Sequence, residues 1–232
     1  MAASGKGFMR RLWRICKRVF IILFIAQFIY IILLRWMDPP VTLTQLGSWV
    51  SGHGLKRDYV DASDMSVNAK LAVIASEDQL FADHNGFDYK SIEKAMKHNS
   101  KSRSLRGAST ISQQVAKNLW LGQERSLGRK LEETVLTWRL EQVVQKPRIL
   151  EVYLNLAELG SGIYGVGQAA QHYFRVPADT LTREQAAQLA ALLPAPRRGM
   201  DSAWAKRYRE LLQRLPRVKI PKAPPELVEK AE

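Results

Sequence analysis

Apolar residues run almost unbroken from Val19 to Leu34 (VFIILFIAQFIYIILL), sixteen positions with one amide and no charge. A helix that is apolar on every face suits lipid better than one side of a core. At about 1.5 Å per residue the run spans ~24 Å, short of a ~30 Å hydrocarbon layer. Cys16, Trp36 and Met37 lengthen it, and Arg18 and Arg35 can snorkel to the interface. A cleaved signal peptide is the rival reading. No small-residue cleavage site follows, only Arg35-Trp36-Met37-Asp38, so the pattern predicts a transmembrane helix over 19–37. Pro39-Pro40 ends it.

Beyond the prolines the spacing turns helical, with few alternating stretches. Asn68 to Ser76 reads as a short buried helix ending near Glu77. Ile111, Val115 and Leu119 recur every fourth residue behind Thr110-x-x-Gln113, a capping box. From Ser126 to about Gln145, Leu127, Leu131, Val135, Trp138 and Val143 form one apolar face. Pro147 suits the first turn of the next helix, read as Ile149 to Leu159 and stopped by Gly160. Gly162, Gly165 and Gly167 punctuate the turn after it. Thr182-x-x-Gln185 is a second capping box. A last amphipathic helix carries Trp204, Tyr208, Leu211 and Leu215. The expected organisation is a basic segment over 1–18, the span over 19–37, a membrane-proximal interfacial segment over 38–60 carrying Leu43, Leu46, Trp49 and Val50, a mainly α domain over 61–218, and a loose proline-rich tail over 219–232.

Charge sharpens this picture. The 232 residues carry a formal net charge of +13, which favours an anionic partner: nucleic acid, anionic lipid or a phosphorylated substrate. Arg10, Arg11, Arg14, Lys17 and Arg18 precede the span, which places the N-terminus in the cytoplasm and the domain on the far side. A second group, Lys90, Lys94, Lys97, Lys101, Arg103 and Arg106, reads either as solvated surface or, because it lies between the two candidate motifs, as a basic loop beside a site. Cys16 is the single cysteine, so no intrachain disulfide can form and the domain carries no thiol.

Two stretches carry the candidate chemistry. Glu77-Asp78-Gln79-Leu80-Phe81-Ala82-Asp83-His84-Asn85-Gly86 sets two acids, an aromatic and a histidine at a helix end. Gly107-Ala108-Ser109-Thr110 then opens a polar-faced helix with Gln113, Gln114, Lys117 and Asn118. Arg125, Arg129, Glu133, Thr137 and Glu141 follow at intervals of four, with Lys130 beside them, and share one helix face. Taken alone, such a stripe is usually a solvated face with weak ion pairs. An acid, an amide-and-lysine helix and a second acid among cations also suit the transfer of a sugar from a phosphate.

The order of these motifs resembles the peptidoglycan glycosyltransferases, glycosyltransferase family 51. Glu77-Asp78-x-x-Phe81-x-x-His84-x-Gly86 is similar to the family's first signature. Gly107-x-Ser109-Thr110-Ile111-x-Gln113-Gln114-x-x-Lys117-Asn118 is similar to the second. Arg129-Lys130-x-x-Glu133 with Leu140-Glu141 resembles the third, Glu151-x-Tyr153-Leu154-Asn155 through Tyr173-Phe174 the fourth, and Leu181-Thr182-x-x-Gln185-Ala186-Ala187 the fifth. Thr137 departs from the pattern, where many members carry a small apolar residue. The resemblance, over roughly 67–197, is to the monofunctional biosynthetic transglycosylases, since no transpeptidase follows.

The resemblance implies a lysozyme-like α fold and polymerisation of lipid II into β-1,4-linked glycan strands at the inner membrane. It implies two catalytic carboxylates, Glu77 as the base and Glu133 to orient the nearby cations or hold a divalent ion. Asp78, Phe81, His84, Gly86, Gly107, Ser109, Thr110, Gln113, Gln114, Lys117, Asn118, Arg125, Arg129 and Lys130 become the substrate-binding set. Implied partners are lipid II, the growing strand and other cell-wall synthesis or division proteins, without nucleic acid. No cofactor is assigned, with room for a divalent Mg or Mn at the pyrophosphate. Two rivals stand beside this reading. A lytic transglycosylase or lysozyme would cut the same polymer, but a sugar leaving group does not call for four cations. A non-enzymatic membrane-tethered binder of anionic polymer or nucleic acid would keep its binding without Glu77.

Overall fold

A computed structural model describes residues 3–102, 107–122, 124 and 126–222. The chain separates into two units, residues 1–37 and 38–232. The first is one helix, α1 (Ala3–Leu33). Its apolar stretch, Phe8–Leu33, is long and apolar enough to cross a membrane. Helix therefore begins well before Val19, and the basic residues Arg10, Arg11, Arg14, Lys17 and Arg18 lie on it rather than ahead of it.

The second unit is mainly helical. Its helices are α2 (Leu43–Val50), α3 (Val67–Glu77), α4 (Tyr89–Asn99), α5 (Ile111–Trp120), α6 (Leu127–Val143), α7 (Lys146–Leu156), α8 (Val166–Phe174), α9 (Arg183–Ala190) and α10 (Ser202–Arg214). The capping boxes at Thr110/Gln113 and Thr182/Gln185 form as their sequences predict. A third, Thr42/Gln45, starts α2. Ser66 caps α3 and also reaches the Leu181 carbonyl, 3.0 Å away, tying the start of α3 to the approach of α9.

Alanine dominates the contact of α3, α9 and α10. Ala72, Ala75, Ala186, Ala187, Ala190 and Ala191 pack with Leu211 and Leu215, so the backbones approach closely and hold the C-terminus of α3 firmly. α7 is buried along most of its length, from Ile149 to Leu156. Its Asn155 side chain pairs with both backbone groups of Val60, at 3.1 and 2.9 Å.

The structure corrects three readings. The segment from Glu158 to Gly160 is a strand, not the end of a helix. β1 (Lys56–Arg57), β2 (Glu158–Gly160) and β3 (Ile163–Tyr164) form a sheet of order β1-β3-β2. β1 runs parallel to β3 with Lys56 opposite Ile163, and β2 runs antiparallel to it with a bulge between Glu158 and Gly160. Strands of two or three residues leave no alternation to read. Second, Lys90, Lys94 and Lys97 lie on α4, not in a loop. Asp88 caps that helix by accepting from Ser91 N–H at 3.0 Å. Arg103 and Arg106 fall outside the described residues. Third, the apolar face of α6 points outward: Leu127 is 87% and Leu131 70% exposed, and Val135 and Trp138 are also exposed. The polar stripe is the buried side, with Glu133 at 3% and Thr137 at 0%.

Gly162, at φ +69°, carries the β2–β3 turn against the backbone of residues 53–54. A Cβ there would lie 2.1 Å from the His53 carbonyl oxygen. Gly162→Ala should cost at least about 2 kcal/mol of stability, because neither the turn nor the neighbouring backbone can move aside cheaply. Thermal unfolding in detergent should show a midpoint lower by roughly 4–8 °C. An unchanged midpoint would mean that this turn relaxes freely.

Candidate active site

Glu77 ends α3 and is partly buried. Its Oε2 accepts from Gln114 Nε2 of α5 at 2.7 Å, and its Oε1 accepts from the Ser76 hydroxyl at 3.1 Å. Burial raises the Glu77 pKa. The two hydrogen bonds and the charge of Lys117 oppose that rise, and the neighbouring Asp78 adds to it. The result is a carboxylate that takes up a proton more readily than an exposed glutamate yet is held in place by donors.

Asp78 turns the other way, into the protein. Its Oδ1 lies 2.9 Å from His84 Nε2, and its Oδ2 accepts from Ile111 N–H at 3.0 Å. A negative group thus sits at the first turn of α5, where helix amides lack partners. Thr110 Oγ1 donates to the Gly86 carbonyl at 2.7 Å. Gly86 has φ +88° and faces α6, where a Cβ would stand 3.0 Å from Glu141 Cγ and 3.1 Å from Thr137 Cγ2. Glu141 accepts from Ser112 Oγ and, at 2.6 Å, from Lys146 Nζ. Lys146 lies 4.3 Å from the Phe81 ring centroid. The first two signatures and the third are therefore one connected lattice. Within it the side chains of Asp78, Phe81, His84, Thr110 and Gln113 engage protein groups, and Gln113 closes the α5 capping box.

Thr137 fits this lattice without strain on polar grounds. Its hydroxyl donates to the Glu133 carbonyl at 2.7 Å, so the buried oxygen is satisfied where an apolar residue would serve in relatives of the expected pattern.

Cations gather around Glu133. Its Oε2 accepts from Arg129 Nη1 at 3.1 Å and its Oε1 from Lys130 Nζ. Lys117 of α5 feels Glu133 and Glu77 as attractive charges and Arg129 and Lys130 as repulsive ones. Burial is the largest influence on it and lowers its pKa. Arg129 Nε is buried without a hydrogen-bond partner among the described residues. Of the predicted set, Glu77, Gln114, Lys117, Arg129, Lys130 and Glu133 come together here. Gly107 and Ser109 are exposed just ahead of α5, and Asn118 is partly exposed on it. Arg125 falls outside the described residues. Sequence reasoning left out Tyr153, whose hydroxyl donates to Gln114 Oε1 at 3.2 Å. Its place in Glu151-x-Tyr153-Leu154-Asn155 was the available signal.

The donor set does not fit a resident divalent ion. Both Glu133 oxygens are taken by cations, and no group of three or more His, Cys, Asp and Glu side chains that could hold a metal exists among the described residues.

The site sets the Glu77 carboxylate beside Lys117 and the cations paired with Glu133. The same stretch of chain is matched by a family model described as Transglycosylase, over residues 44–216. The chain is 47% identical over 177 residues to a biosynthetic peptidoglycan transglycosylase of Pseudomonas aeruginosa, covering 74% of this chain and 76% of that one. It is 45% identical over 208 residues to one from Ectopseudomonas mendocina, covering 86% of each. It is 48% identical over 172 residues to one from Nitrosomonas eutropha, covering 72% and 70%. With both carboxylates and their cations inside a match that takes in most of its length, the chain belongs to the transglycosylase family.

Proposed function

We propose that this transglycosylase polymerises lipid II into β-1,4-linked peptidoglycan strands, using Glu77 as general base. The observation that carries the reading is Glu77 held by Gln114 beside Lys117 and the Arg129–Lys130–Glu133 cluster. The acceptor is the 4-hydroxyl of a GlcNAc unit, a poor nucleophile until its proton is removed. As Glu77 takes that proton, the oxygen bonds to the anomeric carbon of the growing strand. The bond from that carbon to the pyrophosphate breaks on the opposite face, which inverts the α-linkage to β. Polyprenyl pyrophosphate leaves with the electron pair. Lys117, Arg129 and Lys130 meet the charge that develops there, and Glu133 keeps Arg129 and Lys130 in place. Arg125 joins them on the strength of the sequence resemblance. Asp78, His84, Thr110 and Gly86 act from below by fixing the start of α5.

Hydrolysis, the rival, needs a protonated acid facing the leaving sugar oxygen. A raised Glu77 pKa alone would suit that role. The Gln114 amide donated to Glu77 favours the ionised form instead, and the cations favour a phosphate leaving group. The deciding experiment is incubation of the full chain with labelled lipid II, followed by gel separation with and without muramidase. A muramidase-sensitive ladder is expected. Shortening of added strands, with no ladder from lipid II, would support the hydrolase.

On this reading α1 crosses the inner membrane once, N-terminus in the cytoplasm, and the substrates' lipid tails share that bilayer. A periplasm-dependent reporter fused to the C-terminus should be active. An inactive reporter, with the domain shielded from protease in spheroplasts, would reject the topology.

A further inference from the structure

Gln114 stands between a carboxylate and a phenol. Its Nε2 donates to Glu77 Oε2 at 2.7 Å, and its Oε1 accepts from the Tyr153 hydroxyl at 3.2 Å. An ionised carboxylate only accepts hydrogen bonds, whereas a primary amide has a donor end and an acceptor end. An ionised Glu77 therefore selects this orientation of the amide, and the orientation requires a donor at the far end. Tyr153, on α7, supplies it. The side chain is buried at 2% exposure. Burial, and then the charge of Glu77, hold the phenol pKa well above its ordinary value, so the hydroxyl keeps its proton.

We infer that Tyr153 is a positioning residue for the transfer reaction: it holds the Gln114 amide with its NH2 end toward Glu77 and so keeps the base ionised. The inference rests on reading Glu77 as the base. Turned over, the amide would offer Oε1 to Glu77, an arrangement that only the protonated acid satisfies. The tyrosine hydroxyl would then accept from the amide, and its own proton would have no acceptor among the described residues. A buried donor without a partner is costly, and that cost weights the amide toward the productive orientation. Tyr153 thus acts on Glu77 through a side chain 39 positions earlier in the sequence than itself.

The other groups facing Glu77 do not depend on the phenol. Lys117 faces it from α5, and Asp78 follows it in the chain. The Ser76 hydroxyl lies 3.1 Å from Oε1 and 3.3 Å from the Ala190 carbonyl of α9. Glu133, Arg129 and Lys130 of α6 act on Lys117. Tyr153→Phe leaves all of these in place and removes one hydroxyl.

The test is the pH dependence of kcat/KM for the full chain in detergent with labelled lipid II. In Tyr153→Phe the acid limb should move up by about 0.5–1 pH unit, a ~3–10-fold loss on the acid side that recovers on the plateau. Gln114→Met should move the limb in the same direction. Adding Tyr153→Phe to Gln114→Met should move it no further, since the hydroxyl then has no amide to orient. A limb unmoved in either single variant, or shifts that add in the double variant, would overturn the inference. Glu77→Gln measured alongside separates the two readings. Normal polymerisation by Glu77→Gln removes the base, and the relay with it. An inactive Glu77→Gln with an unmoved limb in Tyr153→Phe keeps the base and removes only the relay.

Discussion

Glu77→Gln should lower the rate of glycan formation by at least ~100-fold while leaving lipid II capture largely intact. The replacement keeps the size of the side chain and its contact with the Ser76 hydroxyl. It loses the negative charge that lets the side chain take up the acceptor's proton. The wild-type pH profile carries a related signature. Burial raises the Glu77 pKa, so the fraction of ionised base falls as pH drops through a value above the ordinary glutamate range. The acid limb should lie correspondingly high, and it should vanish from whatever residual rate Glu77→Gln retains. Initial rates across pH, together with lipid II affinity, check both statements. Polymerisation near the wild-type rate by the folded variant would remove Glu77 from the chemistry.

Lys117→Ala should reduce turnover by about 100-fold, whereas Lys94→Ala and Lys101→Ala should mainly weaken substrate capture. The distinction follows from surroundings. Lys117 is partly buried between Glu77 and Glu133, where a positive charge acts on the leaving oxygen with less screening than at the surface. Lys94 is exposed on α4, and Lys101 is exposed just beyond it. Charges there attract an anionic lipid from a distance and fade as salt rises. Because burial lowers the Lys117 pKa, its charge is lost at a lower pH than that of an ordinary lysine, so activity should fall early on the alkaline side. Rates and affinities of the three variants at two salt concentrations make the comparison. Equal, mild losses in all three would mean that the cationic cluster is not the leaving-group site.

The helix starts were legible because capping is local. Thr110 and Gln113 need only each other, as do Thr182 and Gln185, and their chemistry is visible within four residues. The direction in which α6 faces was not. Periodicity marks two stripes on that helix, and the usual assumption turns the apolar one inward. Here Glu133, Thr137 and Glu141 turn inward because Arg129, Lys130, Ser112 and Lys146 satisfy the two acids there and the helix backbone satisfies the Thr137 hydroxyl. None of those pairings can be read from α6 alone. The α4 helix was hidden for a similar reason: its lysines drew attention to charge and away from the Asp88 cap. In the site, the acids and cations could be named from motif order. The division of labour between Glu77, which faces Gln114 and Lys117, and Asp78, which faces His84 and the start of α5, depends on how one helix end is set, and adjacent letters do not record it.

The outward apolar face of α6 has a practical consequence for handling the protein. Deleting α1 removes the long apolar helix but leaves Leu127, Leu131, Val135 and Trp138 in contact with water. A chain trimmed in this way keeps a greasy exterior, so it should self-associate in plain buffer and disperse in mild detergent. Its clumping would then be a property of the correctly folded domain, and refolding protocols aimed at curing it would have nothing to repair.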